Sequence, residues 1–167
     1  MTDSPEYLQR IRSLAASGDF LARQSEALSE LRDLVADVSA GELSRSPAPG
    51  KWSVSEILAH MAEDEIVSHW RYRQMIEFDG VPLASFDQDL WATLGDYSSR
   101  NPHESLGLFR LMREANLRML QRLTPEQWQR SGMHAERGKI TVEDLARHMA
   151  GHDRNHIEQI RKILNKT

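Results

Sequence analysis

His148, His152 and His156 recur at four-residue steps near the C-terminal end of the sequence. On an α-helix each step of four turns about 40° beyond a full turn, so neighbouring members share a face. Side chains at i and i+4 have Cβ atoms about 5–6 Å apart, close enough for two imidazoles to meet one ion. Neutral imidazole is a ligand for zinc, nickel, copper and iron. The zincin motif uses the same helical step, but its glutamate base is missing here. A third ligand must come from another element. His60 is the best candidate, because it continues the apolar stripe of Ile57 and Met61 and should point inward. Three histidines on two helices, with positions left for water or substrate, describe an open site rather than a closed structural one. A histidine on an apolar face is equally the pattern of a hydrogen-bonded core residue, and the residues alone leave both readings open. The isolated His69, His103 and His134 read as surface or interfacial residues.

The elements that must position these side chains are helical almost throughout. Phe20, Leu21, Leu28, Leu31, Leu34, Val35 and Val38 recur at three- and four-residue steps, one buried stripe. Gly18-Asp19 separates this helix from a short leading one around Pro5–Ala15. Gly41 and the Ser-Arg-Ser-Pro-Ala-Pro-Gly run at 44–50 form the first clear loop. Ser53 with Glu56 three residues on is a capping box, opening a second long helix whose stripe runs Ile57, Leu58, Met61, Ile66, Trp70, Met75, Ile76. Asp79-Gly80 stops it. Residues 79–101 read as a long connection, packed down by Phe86, Trp91 and Tyr97, with a short helix near 87–94. Asn101-Pro102 starts a third helix, striped by Leu106, Phe109, Leu111, Met112, Leu117, Leu120 and Leu123. Thr124 to Gln127 opens an extra turn, followed by a polar stretch at 129–139. The last helix begins at Thr141, with Asp144 as a weaker capping partner, and runs to Leu164. No strand pattern is evident. The expected fold is all-α: one domain over residues 1–167, an antiparallel four-helix bundle with a long crossover connection between its second and third helices.

Composition narrows the function classes. The 167-residue chain can bury a proper core, and two fifths of it is apolar. It has no cysteine, which excludes disulfides, thiolate nucleophiles and iron–sulfur clusters and suits a reducing compartment. The net charge is −4, with acidic and basic residues mixed and no basic stripe, so no nucleic-acid partner is expected. The polar start MTDSPEYLQR lacks the apolar core of a signal peptide, and no window approaches a membrane span. The reading is cytoplasmic, without a membrane partner.

Two segments together resemble a known family. Gly50-Lys51-Trp52-Ser53-Val54-Ser55-Glu56-Ile57-Leu58-Ala59-His60 and His152-Asp153-Arg154-Asn155-His156-Ile157-Glu158-Gln159-Ile160 resemble the two signatures of the DinB-like (DinB/YfiT) superfamily. Trp52 opens the helix and His60 follows about two turns later, while His152, His156, Ile157 and Gln159 match the closing HxxxH pattern. The resemblance implies an antiparallel bundle in which His60, His152 and His156 hold one divalent transition metal. Nickel or zinc come first, with iron or manganese as alternatives. It also implies a homodimer and, in some relatives, transfer or isomerisation that uses a low-molecular-weight thiol. His148 lies one turn before the family pair and reads as a pocket-rim residue. Asp64, Glu63 and Asp153 either orient an imidazole or are solvated carboxylates.

Three functions compete on this basis. A metal could acidify the thiol of a cosubstrate, which then attacks a small electrophile. It could instead activate water for hydrolysis, with Asp64 accepting the proton. The protein could also be a non-catalytic metal- or small-molecule-binding stress protein. The methionines Met61, Met75, Met112, Met119 and Met149 read as ordinary core packing.

Overall fold

The computed structural model describes residues 4–15 and 18–166; the first three residues of the polar N-terminus lie outside them. Each long helix starts where a side chain can satisfy its free N–H groups. Helix α1 spans Pro5–Ala15. Gly18 takes the left-handed backbone (φ 81°) that the break requires, and Asp19 then accepts from Leu21 N and Ala22 N to cap α2, Phe20–Val35. Gly41, read above as loop, lies instead inside a one-turn helix, α3 (Ala40–Leu43), capped by Ser39. Ser53 and Glu56 form the reciprocal capping box of α4, Val54–Glu77. The long connection carries α5 (Gln88–Leu94) and a 3₁₀ turn, Tyr97–Ser99. Asn101 caps α6, Pro102–Leu120, with Pro102 in its first turn. After the short α7, Pro125–Trp128, the last helix α8 spans Val142–Leu164. Thr141 and Asp144, read as the weaker pair, form a complete capping box there.

Helices α2, α4, α6 and α8 make the bundle: α4 packs on α6 and α8, α2 packs on the same two, and α1 lies along α8. That last approach is close because residue 151 is glycine. A Cβ there would collide with the Ile11 carbonyl, and Ile11 is fully buried. No helix among the described residues is long and apolar enough to cross a membrane.

Further features depart from the pattern expected of the sequence. A small sheet is present: β1 (Val81–Leu83) runs parallel to β2 (Ser131–His134), which pairs antiparallel with β3 (Gly138–Thr141). Strands of three and four residues are too short to show a period of two. Gly132 sits in β2 where Leu83 occupies the space of a side chain. Ile66 and Trp70, placed in the buried stripe of α4, are 43% and 62% exposed. His134 is buried rather than on the surface.

The core falls into two apolar clusters. One gathers Leu31, Leu43, Ile57, Leu58, Phe109 and Ile160; the other gathers Tyr72, Met75, Leu83, Leu120, Leu145 and Met149. Between these clusters along the four bundle helices lie buried polar residues: Gln24 on α2, Glu65 on α4, Arg113 and Asn116 on α6, and His152, Asp153 and His156 on α8. The bundle therefore has a polar layer sandwiched between two dry ends. Buried polar groups persist only where they find partners, and the candidate site is built on this layer.

Candidate metal centre

His60 on α4 and His152 and His156 on α8 come together in the interior, 4%, 2% and 8% exposed. Their Nε2 atoms converge: His152 Nε2 lies 3.1 Å from His60 Nε2 and 3.1 Å from His156 Nε2. One ligand atom from each residue falls within 4.8 Å of the other two. Nitrogens at about 2.0–2.1 Å from a tetrahedral ion stand about 3.3–3.4 Å apart, close to the two separations of 3.1 Å about His152 Nε2.

Protonation argues the same way. Burial, followed by the neighbouring imidazoles, drives His152 well below the ordinary histidine value. Burial also lowers His156, to about 3. Both are therefore neutral near pH 7 and offer lone pairs. His156 Nδ1 lies 3.0 Å from Gln159 Oε1. An amide oxygen only accepts, so that bond puts the proton on Nδ1 and leaves Nε2 bare. His152 Nδ1 is buried with no hydrogen-bond partner. Bare nitrogens facing one another at such distances repel unless a proton or a cation lies among them. The donor set fits a divalent transition metal, for which neutral imidazole is a preferred ligand.

The carboxylates singled out from the sequence have separate fates. Asp64, one turn after His60, points at the triad: its Oδ2 lies 3.1 Å from His152 Nε2 and 3.8 Å from His60 Nε2. Burial raises its carboxyl above the ordinary value, against the pull of His60, Arg71 and Arg137. Glu63 instead accepts from the Tyr97 hydroxyl at 2.6 Å and pairs with Arg100. Asp153 is held by Arg113, which donates to both its oxygens. Trp52 does not ligate; its ring centroid lies 5.2 Å from that of His60, walling one side of the site. His148 stands at the rim, its ring 6.3 Å from that of His152.

Two clefts reach the triad. One, about 250 Å³, is bordered by His60, Asp64, His152, His148, Arg71 and Arg137. The other, about 290 Å³, is bordered by Trp52, His156, Gln159, Lys51 and Asn155. Tyr7 of α1 and Gln88 of α5 border both. Sequence reasoning missed Arg71, Arg137 and His134 as cleft residues. Nothing local to those positions signals it, because the β2–β3 hairpin that brings His134 and Arg137 in was read as a polar loop.

Comparison with known proteins follows the same lines. The family model described as the DinB superfamily matches residues 24–160. A protein of Oceanobacillus iheyensis named "putative metal-dependent hydrolase" is 24% identical over 163 residues, covering 98% of this chain and 86% of its own. YfiT of Bacillus subtilis, with the same description, is 23% identical over 139 residues, covering 83% of this chain and 78% of its own. Among solved structures, YfiT superposes with a TM-score of 0.80 at 20% identity, covering 98% of this chain and 91% of that one. It is described as having an unusual four-helix bundle topology. A mycothiol-dependent maleylpyruvate isomerase superposes with a TM-score of 0.70 at 14% identity, covering 84% of this chain and 59% of that one.

Proposed function

The chain belongs to the DinB superfamily, and from that premise we propose that it is a metal-dependent enzyme acting on a small molecule. In this reading His60, His152 and His156 hold one divalent ion, nickel or zinc before iron or manganese. The observation that carries it is the convergence of three buried Nε2 atoms beside the Asp64 carboxylate at the foot of two clefts. A divalent ion held there supplies Lewis acidity that lowers the pKa of a thiol or water brought to it.

The chain's own residues do the rest. Asp64 takes the proton of the nucleophile. A carboxylate kept from full hydration is a stronger base than one in water, because its conjugate acid is less disfavoured. Trp52 on one side and the buried helices on the other restrict water. The two clefts suit two organic reactants, one entering past Trp52 and Gln159 and the other past His148 and Arg71. We therefore favour transfer to or from a low-molecular-weight thiol. Its sulfur forms a bond to the electrophilic carbon, the thiol proton goes to Asp64, and the displaced group leaves with the electron pair of the broken bond. The chain has no cysteine, so the thiol is a cosubstrate.

Hydrolysis is the second reading, favoured by the names of the relatives and by the same Asp64 placed to accept a proton from water. One assay separates them: metal-loaded protein is given small electrophiles and esters, each with and without cysteine, glutathione and bacillithiol. Thiol-dependent turnover supports transfer; equal turnover without thiol supports hydrolysis. Turnover no greater than that of metal-free protein with every pair contradicts both. Asp64→Asn, which keeps the shape and removes the base, is expected to lower the rate roughly 10²-fold or more. Unchanged turnover would remove Asp64 from the chemistry.

A further inference from the structure

One buried side chain on the cleft beside His60 and His152 has a hydrogen-bonding position that the chemistry above does not use. His134 ends β2 and is 6% exposed. The β2–β3 turn fixes its ring, because the Glu136 backbone N–H donates to His134 Nδ1 at 3.2 Å. Nδ1 must be bare to accept that bond, so the proton of the neutral ring sits on Nε2. The ring is neutral near pH 7, since burial first, and then the Arg137 and Arg71 guanidiniums, lower it to about 4. His134 therefore presents a fixed N–H at Nε2.

That N–H meets no acceptor among the described residues. Nor is the atom sealed in, as His152 Nδ1 is. A buried histidine whose ring nitrogen still reaches solvent does so through the cleft it lines. That cleft, about 250 Å³, is also lined by His60, Asp64 and His152. A donor held in a confined cleft gains strength when a bound molecule displaces water and accepts from it. The cleft is not a positive pocket: Asp64, Asp87 and Glu136 line it together with Arg71 and Arg137, and both arginines have partners within the chain. The acceptor that suits it is an uncharged oxygen.

We infer that His134 is a catalytic residue whose Nε2–H binds the carbonyl oxygen of an uncharged acyl substrate, on the carbon that the nucleophile attacks. The inference rests on the reading of the triad and Asp64 as the reacting centre. As the nucleophile bonds to that carbon, its proton goes to Asp64 and the C=O π pair moves onto the oxygen, where the hydrogen bond strengthens. The pair then returns to re-form C=O, and the displaced group leaves with the electrons of its own broken bond. A neutral imidazole with its other nitrogen engaged is suited to polarising a carbonyl in this way.

The test is nitrogen–proton NMR of zinc-reconstituted protein carrying isotope-labelled histidine, with metal content measured in parallel. The probe is N-ethylsuccinimide, an unreactive carbonyl compound; N-ethylpyrrole, a ring of like size without carbonyls, is the comparison. Wild type at pH 7 is expected to show His134 protonated at Nε2 and bare at Nδ1, assigned by the signals lost in His134→Leu. Millimolar imide is expected to shift the Nε2–H signal, and the pyrrole to leave it in place. His134→Leu is expected to bind the imide roughly 3- to 10-fold more weakly at unchanged metal content, and His134→Gln, which keeps an N–H donor, to recover most of that loss. A proton on Nδ1, an Nε2–H signal unmoved by tens of millimolar imide, equal binding in wild type and His134→Leu, or a pyrrole that binds as well as the imide overturns the inference. The two wild-type readings decide it even if His134→Leu fails to fold. Wild type that takes up no zinc yet gives both readings contradicts the metal reading and leaves this one in place; zinc-loaded protein that fails them contradicts this one alone.

Discussion

Burial makes the histidines of the site poor proton acceptors, and this has a consequence for stability. His156 and His148 are lowered to about 3 and His134 to about 4, in each case by burial first. For His134 and His148 the guanidiniums of Arg137 and Arg71 act in the same direction. A histidine depressed in the folded state is protonated more readily in the unfolded one. The unfolded chain therefore binds more protons between about pH 6.5 and the folded values, and stability falls as pH falls through that window. Asp153 and Asp64, both raised by burial, oppose this, but they are two groups against the four lowered imidazoles of His134, His148, His152 and His156. Metal-free protein should show a urea midpoint clearly lower at pH 5 than at pH 7.5; an unchanged midpoint would mean these imidazoles are not held neutral by the fold. Four-residue spacing on one helix and an inward His60 on another made the histidine cluster legible, while the choice of His152 and His156 over His148 came from the family resemblance. Asp64 was legible as a carboxylate one turn beyond His60, although its direction was not. Arg71 and Arg137 were not legible as a pair, because a strand hairpin and a helix distant in sequence bring them together.

Between elements, the connection that matters most is Arg113. From α6 it donates to both oxygens of Asp153 on α8, to Glu65 on α4 at 2.7 Å, and to the Gln24 carbonyl on α2 at 2.9 Å. Asn116 adds a second donor to Glu65 at 2.8 Å. Asp153 follows His152 in the chain and Glu65 follows Asp64, so one guanidinium ties together the helices that carry the site. Removing it strands two carboxylates in the interior. Arg113→Met is expected to destabilise the protein by about 3–5 kcal/mol, measured by urea unfolding. A loss under about 1 kcal/mol would show that water reaches the carboxylates and that the network is not the clamp described. Helix starts were legible because caps are local chemistry: Ser53 with Glu56, Asn101 with Pro102, Thr141 with Asp144. The sheet was not, since Val81–Leu83 gains its partner only across about fifty residues of chain, and the β2–β3 hairpin is built of strands of four residues, too short to show a period of two. The α4 stripe was over-read at Ile66 and Trp70, where helical spacing alone does not tell a core face from an exposed one.

For the whole molecule, the two apolar clusters hold a polar layer that the triad shares with the Arg113 network. A site so built couples metal binding to folding: an ion that binds only the folded state at 100 times its Kd adds about 2.7 kcal/mol. The bundle as a class was legible from four amphipathic stretches, while the division of its interior was not. Periodicity reports which face is buried, but not that polar residues on four separate helices meet at one level. The central claim is that His60, His152 and His156 hold one metal ion. Elemental mass spectrometry of untagged wild type, His60→Ala and His156→Ala, purified without chelator, tests it most directly. The account predicts close to one transition metal per wild-type chain and its loss from both variants. Wild type that takes up no metal after reconstitution with zinc, nickel, iron and manganese, or variants that retain it equally, would contradict the account.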